Sequence, residues 1–176
     1  MPLIAGPFHI VVGLLAIAGV AKLARPAATA DVARAAGIPA SQAVVRIFAL
    51  LEVGAAATAL VFGGWQAALG IALLYGAFAV FVIMLSVRGI ETAGCGCFGQ
   101  ETEEPPGRIH VGLDLVAAAI ALLAVASPVP DLASVLAVQP LAGMPYIGFV
   151  LMGVWLSMVV LTEFPRLMRI ASESAT

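Results

Sequence analysis

The stretch from Gln66 to Val87 contains no charged side chain. Crossing the hydrocarbon core of a bilayer takes about 20 consecutive apolar residues, and few soluble helices run that long without a charge. Four further stretches are almost as apolar: Leu3 to Leu23, Gln42 to Phe62, Ile109 to Ala126 and Tyr146 to Phe164. The chain therefore reads as an all-α integral membrane protein of four or five spans, with five preferred. Composition agrees. Of 176 residues, 62% are hydrophobic and only 10% charged, against about 25% charged in soluble domains. A small soluble domain could not clothe its surface with so few charges, whereas lipid-facing residues need none.

The whole chain, residues 1–176, reads as a single membrane domain. Residues 3–127 form a four-helix core, and residues 145–165 an additional C-terminal helix. Gly63-Gly64 leaves room only for a tight hairpin between the second and third spans. Pro128, Pro130, Pro140 and Pro145 punctuate the connection before the fifth, which is itself apolar enough to lie in the membrane interface or meet a partner. Pro26 and Pro39 bracket a short interfacial helix over Asp31 to Pro39. Ala28-Thr29-Ala30 looks like a leader-peptide cleavage site. However, a leader carries basic residues before its apolar stretch, and here Lys22 and Arg25 follow it. The first helix is expected to be retained.

With five spans, all eight basic residues fall on one face: Lys22, Arg25, Arg34, Arg46, Arg88, Arg108, Arg166 and Arg169. Basic loops stay cytoplasmic, so the expected orientation places the N-terminus outside and the C-terminus in the cytoplasm. A net charge of −2 with scattered basic residues makes no phosphate-binding stripe, and no nucleic-acid partner is expected.

Chemistry concentrates in one loop and in four ionisable residues within the spans. The loop before the fourth span holds Gly94-Cys95-Gly96-Cys97-Phe98-Gly99, with the only two cysteines of the chain. Two cysteines one residue apart can close a small, strained disulfide. Strain raises the reduction potential and keeps such a bond reducible, which suits thiol–disulfide exchange. Two inert reduced thiols are the plain alternative. Metal binding is the third, since thiolates favour soft metals, with His110, Glu101, Glu103 and Glu104 nearby, although the spacing fits no standard zinc site. Lys22 and Arg46 lie about one turn from the basic ends of their helices, within reach of the surface by snorkelling. Asp114 lies about 9 Å and Glu52 about 15 Å inside their spans, at 1.5 Å per residue. A carboxylate at such depth is a functional candidate; a structural pair of Glu52 with Lys22 or Arg46 is the alternative. His9, near the outer end of the first span, reads as structural.

Three elements together carry a resemblance. Gly19-Val20-Ala21-Lys22-Leu23-Ala24-Arg25-Pro26, Leu50-Leu51-Glu52 and Cys95-Gly96-Cys97-Phe98-Gly99, in this order, resemble the MauE family of methylamine-utilisation membrane proteins and the wider DoxX-like group, over roughly residues 8 to 127. The resemblance implies a DoxX-like four-helix bundle with a fifth helix added, and a role in thiol–disulfide chemistry or maturation of partner proteins. It implies Cys95 and Cys97 as a redox pair and Lys22 and Glu52 as the charged positions. Taken with the reading of the spans, Cys95, Cys97 and Glu52 are the catalytic candidates, with Lys22, Arg46 and Asp114 supporting. Members of the wider group are linked to quinone-coupled oxidoreductases, so a quinone is the implied cofactor. Cysteines facing the cytoplasm could not directly oxidise exported proteins, which sets this chain apart from membrane oxidants serving the periplasm. Two functions remain: a thiol–disulfide oxidoreductase or electron-transfer subunit, and a non-catalytic anchor or assembly subunit among other membrane proteins. Metal transport through Cys95, Cys97 and Glu52 is a more distant third.

Overall fold

In a computed structural model the described residues are 3–89 and 108–173. They form α1 (Ala5–Ala24), α2 (Pro26–Ala35), α3 (Gln42–Val61), α4 (Gly64–Val87), α5 (Arg108–Ala126), α6 (Leu132–Ala137), a 3₁₀ turn (Pro140–Gly143) and α7 (Met144–Glu173). Among the described residues there is no strand. Five helices, α1, α3, α4, α5 and α7, are long and apolar enough to cross a membrane. Leu50, Leu73, Val80, Leu122, Leu151 and Trp155 point outward and are exposed. Such an apolar belt would be an aggregation liability in water and is the expected covering in lipid. The protein is a multi-pass membrane protein.

Half of the span in α1 is buried, against 6% of that in α7. The first helix is thus the centre of the bundle, contacting α3, α5 and α7, while α4 packs chiefly on α5. Small residues permit the close approach. A Cβ on Gly19 would lie 2.8 Å from Val53 Cγ2 and 3.1 Å from the Ala49 carbonyl oxygen, so α1 and α3 meet nearly backbone to backbone, as membrane helices favour.

The short helix after α1 begins earlier than the expected Asp31–Pro39. Pro26 supplies the first helical residue, where its fixed φ and missing N–H cost nothing, and Gly37 ends the helix at φ +78°. Arg88, just past α4, donates from Nη1 to the Ala36 carbonyl at 2.6 Å, tying the ends of α2 and α4 together. Ser41 caps α3 by accepting from the Val44 N–H at 3.3 Å.

The connection after α5 packs against the bundle. Val129 and Val135 are buried, and the Gly64 N–H donates to the Val129 carbonyl at 2.9 Å. Gly63 at φ +61° turns α3 into α4. A side chain there would collide with the backbone of 129–131 at 2.6 Å, so only glycine fits on both counts. Pro145 belongs to the first turn of α7 rather than to the connection, a place where proline breaks no helical hydrogen bond. The last helix then seats on α1, with Gly13 close against Val154.

Candidate functional site

Antiparallel neighbours alternate along the chain, so the C-terminal ends of α1, α4 and α7 and the N-terminal ends of α3 and α5 share one end of the bundle. All eight basic residues belong to that end or to the segments joining it.

Inside this end lies an ion pair. The ammonium of Lys22, in the last turn of α1, donates to Glu52 Oε1 of α3 at 2.5 Å, with side-chain exposures of 3% and 0%. The Lys22 ammonium also sits 4.4 Å from the centre of the Phe78 ring on α4, a cation–π contact that gains strength when desolvated. Lys22 therefore turns inward instead of snorkelling. A buried carboxylate left alone would be far costlier than an extended lysine chain, and pairing with Glu52 solves both problems. Arg46, the other candidate partner, is exposed and is no part of the pair. Glu52 Oε2 has no hydrogen-bond partner among the described residues.

Two cavities adjoin Lys22 and Phe78. One, of about 210 Å³, lies between α1, α4, α5 and α7 and is lined by Lys22, Tyr75, His110, Asp114 and Ser157 among apolar side chains. Its hydroxyls are engaged: Tyr75 donates to the Val11 carbonyl at 2.8 Å and Ser157 to the Gly153 carbonyl at 2.8 Å. His110 Nδ1 is buried without a partner among the described residues, and Asp114 shares the cavity with Lys22. The other cavity, of about 270 Å³, lies toward α2 and α3 and is walled by Val44, Phe48, Phe78 and Phe81. Apart from Lys22 and Thr29 it offers only apolar residues.

The structure thus brings Lys22, Glu52 and Asp114 to one end of the bundle and leaves Arg46 outside. Cys95 and Cys97, with Glu101, Glu103 and Glu104, lie outside the described residues. Their exchange, inert and metal-binding alternatives stand where the sequence left them. Among the described residues no three His, Cys, Asp or Glu side chains cluster as metal ligands.

Sequence reasoning passed over Tyr75 and Phe78, which sit inside an uncharged span. It also passed over the contact at the opposite end, where His9 Nδ1 and the Tyr146 hydroxyl are 2.6 Å apart. The signal was scarcity. The chain has two tyrosines, and a phenol in an apolar helix needs a hydrogen-bond partner.

No curated protein matches the chain, and no solved structure matches it. The family described as methylamine utilisation protein MauE matches residues 2–129, a segment that holds α1 to α5, the Lys22–Glu52 pair and the cysteine loop and stops before α6 and α7. The chain belongs to the MauE family.

Proposed function

We propose that this membrane protein carries out thiol–disulfide exchange, or passes electrons for it, in the maturation of partner proteins during methylamine utilisation. Cys95 and Cys97 are the exchanging pair and a quinone is the electron acceptor. The observation that supports this best is the buried Lys22–Glu52 pair beside a cavity. In sequence both cysteines fall between α4 and α5, whose Val87 and Arg108 ends belong to that same end. The electrons balance: two thiols give up two electrons and two protons on forming one disulfide, and a quinone takes up the same on becoming a quinol. A nearby cation favours the thiolate, the reactive form.

In this reading the protein is one membrane domain, related to the wider DoxX-like group. Its N-terminus lies outside and its C-terminus in the cytoplasm, because basic segments stay cytoplasmic. The cytoplasm keeps thiols reduced, so the pair cycles rather than resting oxidised. Thiol trapping in cells, with and without oxidant, tests the proposal. Reversible conversion between two thiols and one disulfide, abolished by Cys95→Ser or Cys97→Ser, is expected. Thiols that stay reduced throughout, in a chain whose Ser variants still support maturation, would overturn it. A second reading, a subunit that anchors or assembles a larger complex, is favoured by the outward face of α7, on which Phe149, Met152 and Trp155 stand exposed.

A further inference from the structure

The cavity toward α2 and α3 differs in kind from its neighbour. Its wall presents carbon only, even where Lys22 and Thr29 contribute to it. The Lys22 ammonium is taken up by Glu52 and by the face of Phe78. A space without donors or acceptors gives a water none of its usual partners and offers nothing to orient a polar ring. What fills it is hydrocarbon. Val44, Phe48 and Ile38 line the cavity and yet are 52%, 36% and 42% exposed. It therefore opens outward, between the start of α3 and the segment 36–40, toward lipid at the basic end of the bundle. Phe48 and Phe78 meet edge to face across it, with ring centres 5.9 Å apart, and bridge α3 to α4. A dry cavity of about 150 Å³ holds benzene. At the same density about 270 Å³ takes about ten carbons of a chain.

The mouth supplies the other half of the ligand. Arg88 donates to the Ala36 carbonyl, which sets its guanidinium beside the segment that gives Ile38 and Ala40 to the wall. Arg88 also follows Phe81 by two turns on the same stripe of α4, about 10 Å nearer the basic end at 1.5 Å per residue. Its side chain is otherwise exposed. Val32 and Ala36 pack on Leu85 of α4, so α2 lies over this end with Arg25 and Arg34 exposed. Across residues 24–46 and 84–89 the charged side chains are Arg25, Arg34, Arg46 and Arg88 against Asp31 alone, and Asp31 is paired with Arg34. An amphiphile whose tail lies in the cavity thus carries its head among basic groups, which attract the anionic lipids of a membrane surface.

We propose that this cavity holds one acyl chain of an anionic phospholipid from the leaflet at the basic end, with the phosphate head at Arg88. The site goes beyond the redox reading and does not rest on it, because neither the cysteines nor the other cavity takes part. The lipid binds only the folded bundle, so it stabilises the packing of α2, α3 and α4 by mass action.

The purified protein, stripped of lipid in detergent, is titrated with dioleoylphosphatidylglycerol or with dioleoylphosphatidylcholine. Native mass spectrometry counts the retained lipid, and thermal unfolding reads its effect. A phosphatidylglycerol with a diazirine on its acyl chain is crosslinked and mapped. Saturable retention of phosphatidylglycerol, a raised Tm and labels at Val44, Phe48 and Phe81 are expected. Val44→Trp, which fills the mouth from its exposed side, should weaken retention about tenfold or more. Leu50→Trp, on the exposed face of α3 and off the wall, should leave it unchanged. Arg88→Gln keeps a donor for the Ala36 carbonyl and should lower the preference for phosphatidylglycerol over phosphatidylcholine about fivefold. Equal retention of the two lipids by the wild type would overturn the proposal, as would retention indifferent to Val44→Trp. So would a photoreactive residue at position 44 that, in native membranes, crosslinks to another protein in place of lipid, since the groove would then seat a partner helix.

Discussion

The central helix carries two buried polar contacts about 20 Å apart, counting 1.5 Å per residue from His9 to Lys22, and they solve the same problem differently. At one end His9 meets Tyr146, a contact of two rings, with centres 5.8 Å apart and edge to face, and one short hydrogen bond. At the other, Lys22 meets Glu52. The first joins α1 to α7, beyond the part matched by the family; the second joins α1 to α3, within it. His9 and Tyr146 are absent from the walls of both cavities beside Lys22. A bilayer tolerates buried polar groups that find partners. The neutral contact needs nothing more to be useful as a fastener. The charged one is an expensive way to fasten helices, because apolar replacement of a buried pair is often neutral or stabilising. What sets it apart from the neutral contact is its place beside a cavity.

That difference predicts its own largest effect. Lys22→Met leaves Glu52 uncompensated in the bundle and is expected to cost about 3–5 kcal/mol of unfolding stability in detergent. Adding Glu52→Leu should restore most of the loss while thiol cycling stays impaired. If the double variant is no more stable than the single one, the two charges are not coupled and the contrast with His9–Tyr146 collapses. Glu52→Gln is milder, since an amide oxygen still accepts from Lys22. A loss of about 1–3 kcal/mol is expected, with Cys95 and Cys97 still open to alkylation.

Much of this arrangement was legible in the chain before folding. Five apolar stretches and the eight-to-none division of basic residues define the spans and their alternation, because a membrane constrains length and charge more tightly than water does. Glu52 and Asp114 stood out for a related reason: a carboxylate in a span needs an explanation. Partner choice was not legible. Lys22 and Arg46 look alike by distance from a helix end, and only the rotation of α1 and α3 about their axes, set by the close approach at Gly19, turns Lys22 inward and Arg46 outward. Apolar spans also hide their inner faces, since hydrophobicity all round leaves no periodic stripe to read. Tyr75, Phe78 and both cavities were silent for that reason. The start of α2 at Pro26 and the docking of 129–135 on the Gly63 turn depend on backbone contacts between distant segments, which local pattern does not encode.

Tyr146→Phe tests the neutral end. Removing the hydroxyl should cost about 0.6 kcal/mol, the average for side-chain hydrogen bonds between membrane helices, because the rings still pack. The outcome of thiol trapping should not change. If Tyr146→Phe alters it, the outer contact is more than a fastener and the two ends of α1 are not functionally distinct.

The smallest expected effect lies outside the membrane and supplies a third case. Asp131 caps α6: its Oδ1 accepts from the Ser134 N–H at 2.9 Å, and its Oδ2 from the Ser134 hydroxyl at 2.6 Å. These bonds, the hydroxyl first, hold the Asp131 carboxyl below the usual aspartate range. A carboxyl lowered on folding contributes stability that is complete above its unfolded value, near about 4, and that fades as pH falls toward the folded one. Acid should therefore loosen α6 and its contact with the Gly63–Gly64 turn, seen as faster amide exchange over residues 132–137 below about pH 4. Asp131→Asn keeps an acceptor for the Ser134 amide without a titrating group, so its exchange there should vary less with pH. The cap faces water, so its loss should leave α1 and α3 protected to lower pH. If exchange in α3 around Glu52 rises before that in α6, the buried pair is the acid-labile element of the molecule, and the ranking of the three contacts must be reversed.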